Sequence, residues 1–191
     1  MYLTIEGIDT AGKSTQIEKL KIIYLDAIFT KEPAGTEIGK DIREIILHKG
    51  VNSKEAELFL FLADRAEHTK EIVEPNLNKT IISDRSLISG IAYAMVNEGF
   101  SLEVLISFNR LATLNILPSK AVLLWLDFNE LEKRISQKSS DKIEARGTEY
   151  LFDIQSKMLE VIKALEIEHL IINASENIEN IHKKILEFIN E

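Results

Sequence analysis

Gly7-Ile8-Asp9-Thr10-Ala11-Gly12-Lys13-Ser14 decides the fold. It satisfies G-x-x-x-x-G-K-[ST] at every fixed position. The chemistry needs these residue types. Glycines let consecutive backbone N–H groups turn inward around phosphate oxygens. The amino end of the following helix adds free donors and a favourable dipole. Lysine supplies a point charge to the β- and γ-phosphates, and the hydroxyl of Ser14 suits a phosphate-bound Mg²⁺. Gly7, Ile8, Asp9, Thr10, Ala11, Gly12, Lys13, Ser14 and Thr15 are therefore the candidate ATP cradle, and Lys13 is its cation.

The context on either side agrees. Tyr2–Glu6 is a short β-rich run, and Ile17, Leu20 and Ile23 recur at helical spacing after the motif. Further short apolar runs occupy Ala27–Lys31, Thr80–Ser83, Ala121–Leu126 and His169–Ile172. Helical patterns separate them, such as Ile38, Ile42, Ile45, Ile46 and, later, Ile178, Ile181, Ile185, Leu186, Ile189. Strands alternating with helices imply a parallel sheet covered on both faces. The expected fold is α/β: a three-layer α/β/α sandwich around a five-stranded parallel sheet, of the P-loop nucleotide-kinase type. All 191 residues are read as one domain, with a polar, partly basic segment at about 136–148 as a small lid.

Composition excludes several classes. The chain is 45% hydrophobic and 28% charged, as globular domains are. With no cysteine, disulfides and thiolate metal sites are ruled out. A net charge of −8 argues against sequence-independent nucleic-acid binding, which needs a basic surface. Any polyanion must be held by a local cluster of donors. The amino terminus carries no basic leader and no long apolar stretch, and no run approaches the ~20 residues a membrane span requires. The expectation is a cytoplasmic protein with no membrane or nucleic-acid partner.

A second anion site is legible at Thr80-Ile81-Ile82-Ser83-Asp84-Arg85. A carboxylate at the carboxyl end of a parallel strand points into the ligand crevice. Asp84 is thus a candidate for Mg²⁺ or its waters, and Arg85 offers a planar fork for an acceptor phosphate. A solvated Asp-Arg pair at a strand end is the plain alternative.

Four segments in order resemble the thymidylate kinase family: the P-loop with Asp9 at its third position; Lys31-Glu32-Pro33-Ala34-Gly35-Thr36; the helix Leu58-Phe59-Leu60-Phe61-Leu62-Ala63-Asp64-Arg65-Ala66-Glu67-His68; and Ser83-Asp84-Arg85 followed by Ser89 and Ala92-Tyr93. The resemblance implies transfer of the γ-phosphoryl group of ATP to dTMP, with Mg²⁺, by a homodimer. It implies that Phe61 stacks on thymine, that Arg65 bonds the base edge, and that Asp9 holds the sugar 3′-hydroxyl. It also implies that Arg85, and more loosely Arg43, bind the dTMP phosphate, with Ser89 and Gly90 in the same pocket. Tyr93 would close the sugar pocket against a 2′-hydroxyl, and Glu32 would help order Mg²⁺ and the substrate side.

Read from the residues alone, Phe61 is equally a core residue, Tyr93 a half-buried helix aromatic, and Arg65 a surface partner of Glu57, Asp64 or Glu67. The chain departs from the family pattern at Ala34, at Ser86 where tyrosine is common, and at Gly90 where some members read the base with Asn or Thr. Thr10 stands where some members place a P-loop arginine. The resemblance then assigns the missing charge to the lid, with Lys142 or Arg146 closing on the phosphates and Lys138 a third candidate. Arg134, just before the lid, is a further one. Two alternatives remain at this level: a deoxynucleoside (thymidine) kinase, and an ATP-sensing regulator without turnover.

Overall fold

The computed structural model describes residues 1–136 and 147–191. Five strands, β1 (Tyr2–Glu6), β2 (Ile28–Lys31), β3 (Ile81–Asp84), β4 (Lys120–Trp125) and β5 (Glu168–Asn173), form one sheet in the order β2-β3-β1-β4-β5. Every pairing is parallel. β1 is buried along its whole length, and Leu3 and Ile5 are fully buried. Strands covered on both faces are built from such near-continuous apolar runs.

Eight α-helices are described: α1 (Lys13–Ile23), α2 (Glu37–Glu44), α3 (Lys54–His68), α4 (Leu87–Glu98), α5 (Leu102–Ala112), α6 (Phe128–Ser136), α7 (Thr148–Ala164) and α8 (Ile178–Asn190). The connection from β1 to β2 crosses the sheet in one sense and those from β2 to β3, β3 to β4 and β4 to β5 in the other. Right-handed crossovers therefore put α1 on one face and the α2–α7 helices on the opposite one. α8 returns to pack beside α1. The result is the three-layer α/β sandwich expected from the alternation of runs.

Helix starts obey local chemistry. Thr36, Ser53, Ser86, Ser101 and Asn177 each accept a backbone N–H two or three residues on. Such caps satisfy donors that the first helical turn leaves open. α1 and α7 start without a side-chain cap, after Gly12 and Gly147, and Gly12 lies in the left-handed region before α1. The open N–H groups of α1 face the P-loop, where an anion can take them.

The strand ends set the site. β1 leads into the P-loop, and Ile5 lies opposite Asp84. The ladder runs one step further, with Arg85 N donating to Ile5 O (3.1 Å) and Glu32 N to Asp84 O (3.0 Å). The carboxyl ends of β1, β2 and β3 thus bring Glu32, Asp84, Arg85 and the P-loop to one rim. The chain order reverses direction there, which is where open α/β sheets bind ligands.

Candidate active site

One cleft at this rim is lined by Asp9, Glu32, Arg43, Phe61, Arg65, Arg85, Ser89, Gly90 and Tyr93. These are all nine residues expected at the acceptor, drawn from the P-loop, the turn after β2, α2, α3, the end of β3 and α4. Pro33, Ile46, Leu58, Ala94, Asn97 and Asn109 complete much of the wall. A second hollow lies across the P-loop, lined by Ala11, Gly12, Thr15, Gln16, Arg134 and residues of the β5–α8 turn and α8.

The phosphate end of the first cleft is organised around Arg85. Its Nη2 donates to Asp9 Oδ1 (2.7 Å), and its Nη1 donates to Gly7 O (2.8 Å) and Ser89 Oγ (3.1 Å). The backbone of Arg85 is left-handed, at φ 69°. A left-handed conformation is strained for a non-glycine residue and persists where the surroundings hold it. Tyr93 stands with its ring centre 5.8 Å from the guanidinium carbon. Burial raises the Tyr93 hydroxyl pKa to about 12, so it stays a neutral donor.

Lys13 is buried, and its Nζ donates to Ile8 O (3.2 Å) with Asp9 at 3.9 Å. Burial, and then the neighbouring Arg85 charge, lower its pKa to about 8. It is still predominantly cationic at neutral pH, poised for a phosphate. Asp84 Oδ1 is buried with no hydrogen-bond partner among the described residues. An orphan carboxylate oxygen beside a P-loop fits a hydrated divalent cation, because Mg²⁺ keeps several waters and takes only one or two carboxylates plus nucleotide phosphates. Among the described residues no group of three or more His, Asp or Glu is placed to hold a metal ion. Ser14 is exposed at the first turn of α1.

Beneath this end lies Glu6, a residue the sequence reading did not select. It is fully buried and accepts from Thr4 Oγ1 (2.7 Å), Ser86 Oγ (2.7 Å) and Ser89 Oγ. Burial raises its pKa, against the three hydroxyl bonds and the Arg85 charge. Glu6 holds Ser89, which in turn touches Arg85. The signal was present, since an ionisable residue on a strand buried on both faces demands partners. Ser86, at the position where the family commonly has tyrosine, caps α4 and closes this network.

The other end of the cleft is organised around Glu32 and Arg65. Arg65 is not a surface partner of Glu57, Asp64 or Glu67: it is buried, and its Nε donates to Glu32 Oε2 (2.8 Å). Glu32 Oε1 meets His68 Nδ1 (2.9 Å), and His68 Nε2 meets Thr30 Oγ1 (2.6 Å). Both Glu32 oxygens are thus engaged on the arginine side of the cleft. This places Glu32 in orienting Arg65, and gives its expected part in ordering Mg²⁺ no geometric support. Gly35 explains the tightness: a Cβ there would lie 2.5 Å from His68 Cδ2 and 2.6 Å from Lys31 O. Phe61 is half-buried in the cleft wall, and Arg43 is exposed at its mouth.

Burial alone would raise the Glu32 pKa. The Arg65 charge and the His68 contact outweigh it and hold the carboxyl below its ordinary 4.5. A depressed folded-state value means stability that is fully present above the unfolded pKa and lost as pH falls through the folded one. Glu32→Gln should therefore cost about 3–5 kcal/mol at pH 7 by breaking a buried pair. The melting-temperature gap to the wild type should narrow as pH drops below about 4.5. Thermal melts from pH 7 to pH 3.5 measure it, and a pH-independent gap contradicts the assignment.

Arg134 joins the second hollow to the P-loop. Its Nη1 donates to Thr10 O (3.0 Å), its Nη2 to Ala174 O (2.9 Å) and its Nε to Glu130 Oε1 (2.8 Å). The proposed lid residues Lys138, Lys142 and Arg146 lie outside the described residues.

Comparison with known proteins bears on all of this. A family model described as thymidylate kinase matches residues 5–185. The chain is 55% identical over 190 residues to the thymidylate kinase of Sulfurimonas denitrificans, with 100% of both chains covered. Identity is 52% over 190 residues to that of Aliarcobacter butzleri, covering 100% of this chain and 99% of the other. A crystal structure of thymidylate kinase from Ehrlichia chaffeensis superposes with a TM-score of 0.77 at 24% identity, covering 100% of this chain and 98% of that one. At that identity the likeness speaks for the fold.

Proposed function

The chain belongs to the thymidylate kinase family, and we propose that it phosphorylates dTMP to dTDP with ATP as donor, using the cleft at the β1–β3 rim for dTMP. The observation that carries this reading is the continuity of the cleft. An arginine-centred anion site next to the P-loop passes directly into an apolar slot ended by a buried arginine. A nucleoside monophosphate has that order of chemistry.

The proposed roles are those the family resemblance implies, taken to residues that line the cleft. P-loop N–H groups and Lys13 hold the ATP phosphates, with Gly7 to Thr15 as the cradle. Arg85 binds the dTMP phosphate as a fork, with Arg43 at the mouth adding charge. Asp9, held by Arg85, faces the sugar 3′-hydroxyl, and Tyr93 fills the space a 2′-hydroxyl would need. Phe61 offers a π-face to thymine, and Arg65 offers donors to its edge. Ser14 and Asp84 would hold Mg²⁺, which when bound neutralises phosphate charge. A dTMP phosphate oxygen attacks the γ-phosphorus as the bond to the β–γ bridging oxygen breaks. That oxygen is already a nucleophile, so no general base is required. Placement and charge neutralisation carry the rate.

The assembly and location complete the proposal: one kinase domain, a homodimer, in the cytoplasm. Phe59, Val104, Phe108 and Leu111 leave an exposed apolar face on α3 and α5, with the two phenylalanine rings 6.3 Å apart. A second copy of the chain would cover it. Among the described residues no helix is long and apolar enough to cross a membrane.

The test is ADP release with ATP, Mg²⁺ and a panel of dTMP, dUMP, dCMP, dGMP, UMP and thymidine. Rapid release with dTMP, and little with UMP or thymidine, is expected. Turnover with thymidine but not dTMP would make the protein a nucleoside kinase. ATP binding without turnover on any acceptor would make it a sensor.

A further inference from the structure

Asn109 is 1% exposed on α5, at the far end of the dTMP cleft. Its Oδ1 accepts from Arg65 Nη1 (2.6 Å), and its Nδ2 donates to Leu105 O one turn back (2.8 Å). The two bonds fix its amide orientation, because arginine only donates and a carbonyl only accepts. Arg65 is therefore gripped twice, by Glu32 at Nε and by Asn109 at Nη1. Its Nη2 makes no hydrogen bond among the described residues.

That free nitrogen lies against Gly90 of α4. A Cβ at Gly90 would stand 2.5 Å from Nη2 and 3.2 Å from both Nη1 and the guanidinium carbon. The absence of a side chain at position 90 is thus what admits the guanidinium to this depth. The place of a Cβ at position 90 is taken by Arg65 itself.

We propose that Asn109 and Gly90 are specificity-determining positioning residues: Asn109 clamps, and Gly90 seats, the Arg65 guanidinium so that Nη2 presents donors to the C4 edge of the pyrimidine. This rests on the dTMP reading of the cleft. The chemistry is one-sided. Thymine and uracil carry a keto oxygen at C4, which accepts from Nη2. Cytosine carries an amino group there, which meets another donor and leaves both unpaired. A pinned guanidinium cannot turn to relieve that clash, whereas a loosened one can. Rejection of cytosine therefore depends on the clamp as much as on the arginine.

The experiment measures kcat and KM for dTMP and dCMP in the wild type, Asn109→Leu, Asn109→Asp and Gly90→Ala, with melting temperatures alongside. Leucine keeps the volume and removes the acceptor; aspartate keeps an acceptor oxygen. The clamp predicts that Asn109→Leu raises KM for dTMP roughly tenfold, with a smaller fall in kcat. The dTMP-over-dCMP ratio of kcat/KM should drop by a similar factor. Asn109→Asp should retain most of the ratio, and Gly90→Ala should lose it by displacing Arg65. Ile185→Val, buried on α8 and outside the cleft, is the stability control, expected to lower the melting temperature and leave the ratio alone. An unchanged ratio in Asn109→Leu, or a loss in Ile185→Val that matches it, overturns the proposal. Neither result touches the dTMP reading, which fails only if the wild type does not turn dTMP over.

Discussion

Lys13→Ala is expected to lower kcat roughly a thousandfold while dTMP binding changes by less than about twofold. The split follows from placement. Lys13 Nζ is held in the P-loop by Ile8 O, a buried cation with no contact to the α3 and α5 walls of the dTMP cleft. Charge spreads over the equatorial oxygens of the transferred group in the transition state, and a preorganised, buried cation acts there more strongly than one in water. Lys13→Arg should not rescue, since a side chain this buried leaves no room for a planar fork. Single-turnover kinetics and a dTMP titration check the two halves separately. Turnover within tenfold of the wild type would remove Lys13 from the transition state.

Arg85→Ala carries the second large effect, an increase in KM for dTMP of roughly a hundredfold. Its guanidinium is already aimed by Asp9, Gly7 O and Ser89, so little ordering remains to be done when a phosphate arrives. Arg85→Lys should recover little, because an ammonium cannot span that set of acceptors and a phosphate together. The backbone adds a separate signature. At φ 69° alanine is strained and glycine is not, so Arg85→Gly should melt above Arg85→Ala while being equally defective with dTMP. Equal melting temperatures would mean that the strain relaxes once the guanidinium anchors are gone.

Much of this was legible in the sequence because the decisive signals are local. The P-loop reads without any fold, and β-rich runs separated by helical spacing gave all five strands to within one residue at each end. The one-residue shift of Thr80–Ser83 to Ile81–Asp84 carries Asp84 to the strand terminus. The candidate acceptor residues converge on one cleft because each sits at a strand end or on a helix entering the same rim.

What was hidden is long-range pairing. Arg65 meets Asn109 across 44 positions, His68 meets Glu32 across 36, and Ser86 meets Glu6 across 80. Spacing within a helix cannot reveal such partners, so a surface ion pair was the natural local reading of Arg65. Two of the missed residues still left traces. Glu6 is an ionisable residue at the end of a strand otherwise fit for burial, and Asn109 is a polar residue four places after the buried Leu105 on α5. A polar residue in an apolar stripe signals a partner, although it does not say which one.

The most direct test of the account is a titration of dTMP and of thymidine into the wild type and Arg85→Ala. The central claim is that an arginine-anchored site beside the P-loop holds the acceptor phosphate. The account predicts that dTMP binds the wild type about a hundredfold more tightly than thymidine does, and that the advantage largely vanishes in Arg85→Ala with thymidine affinity unchanged. Equal affinity for dTMP and thymidine in the wild type, or an advantage that survives in the variant, would contradict it.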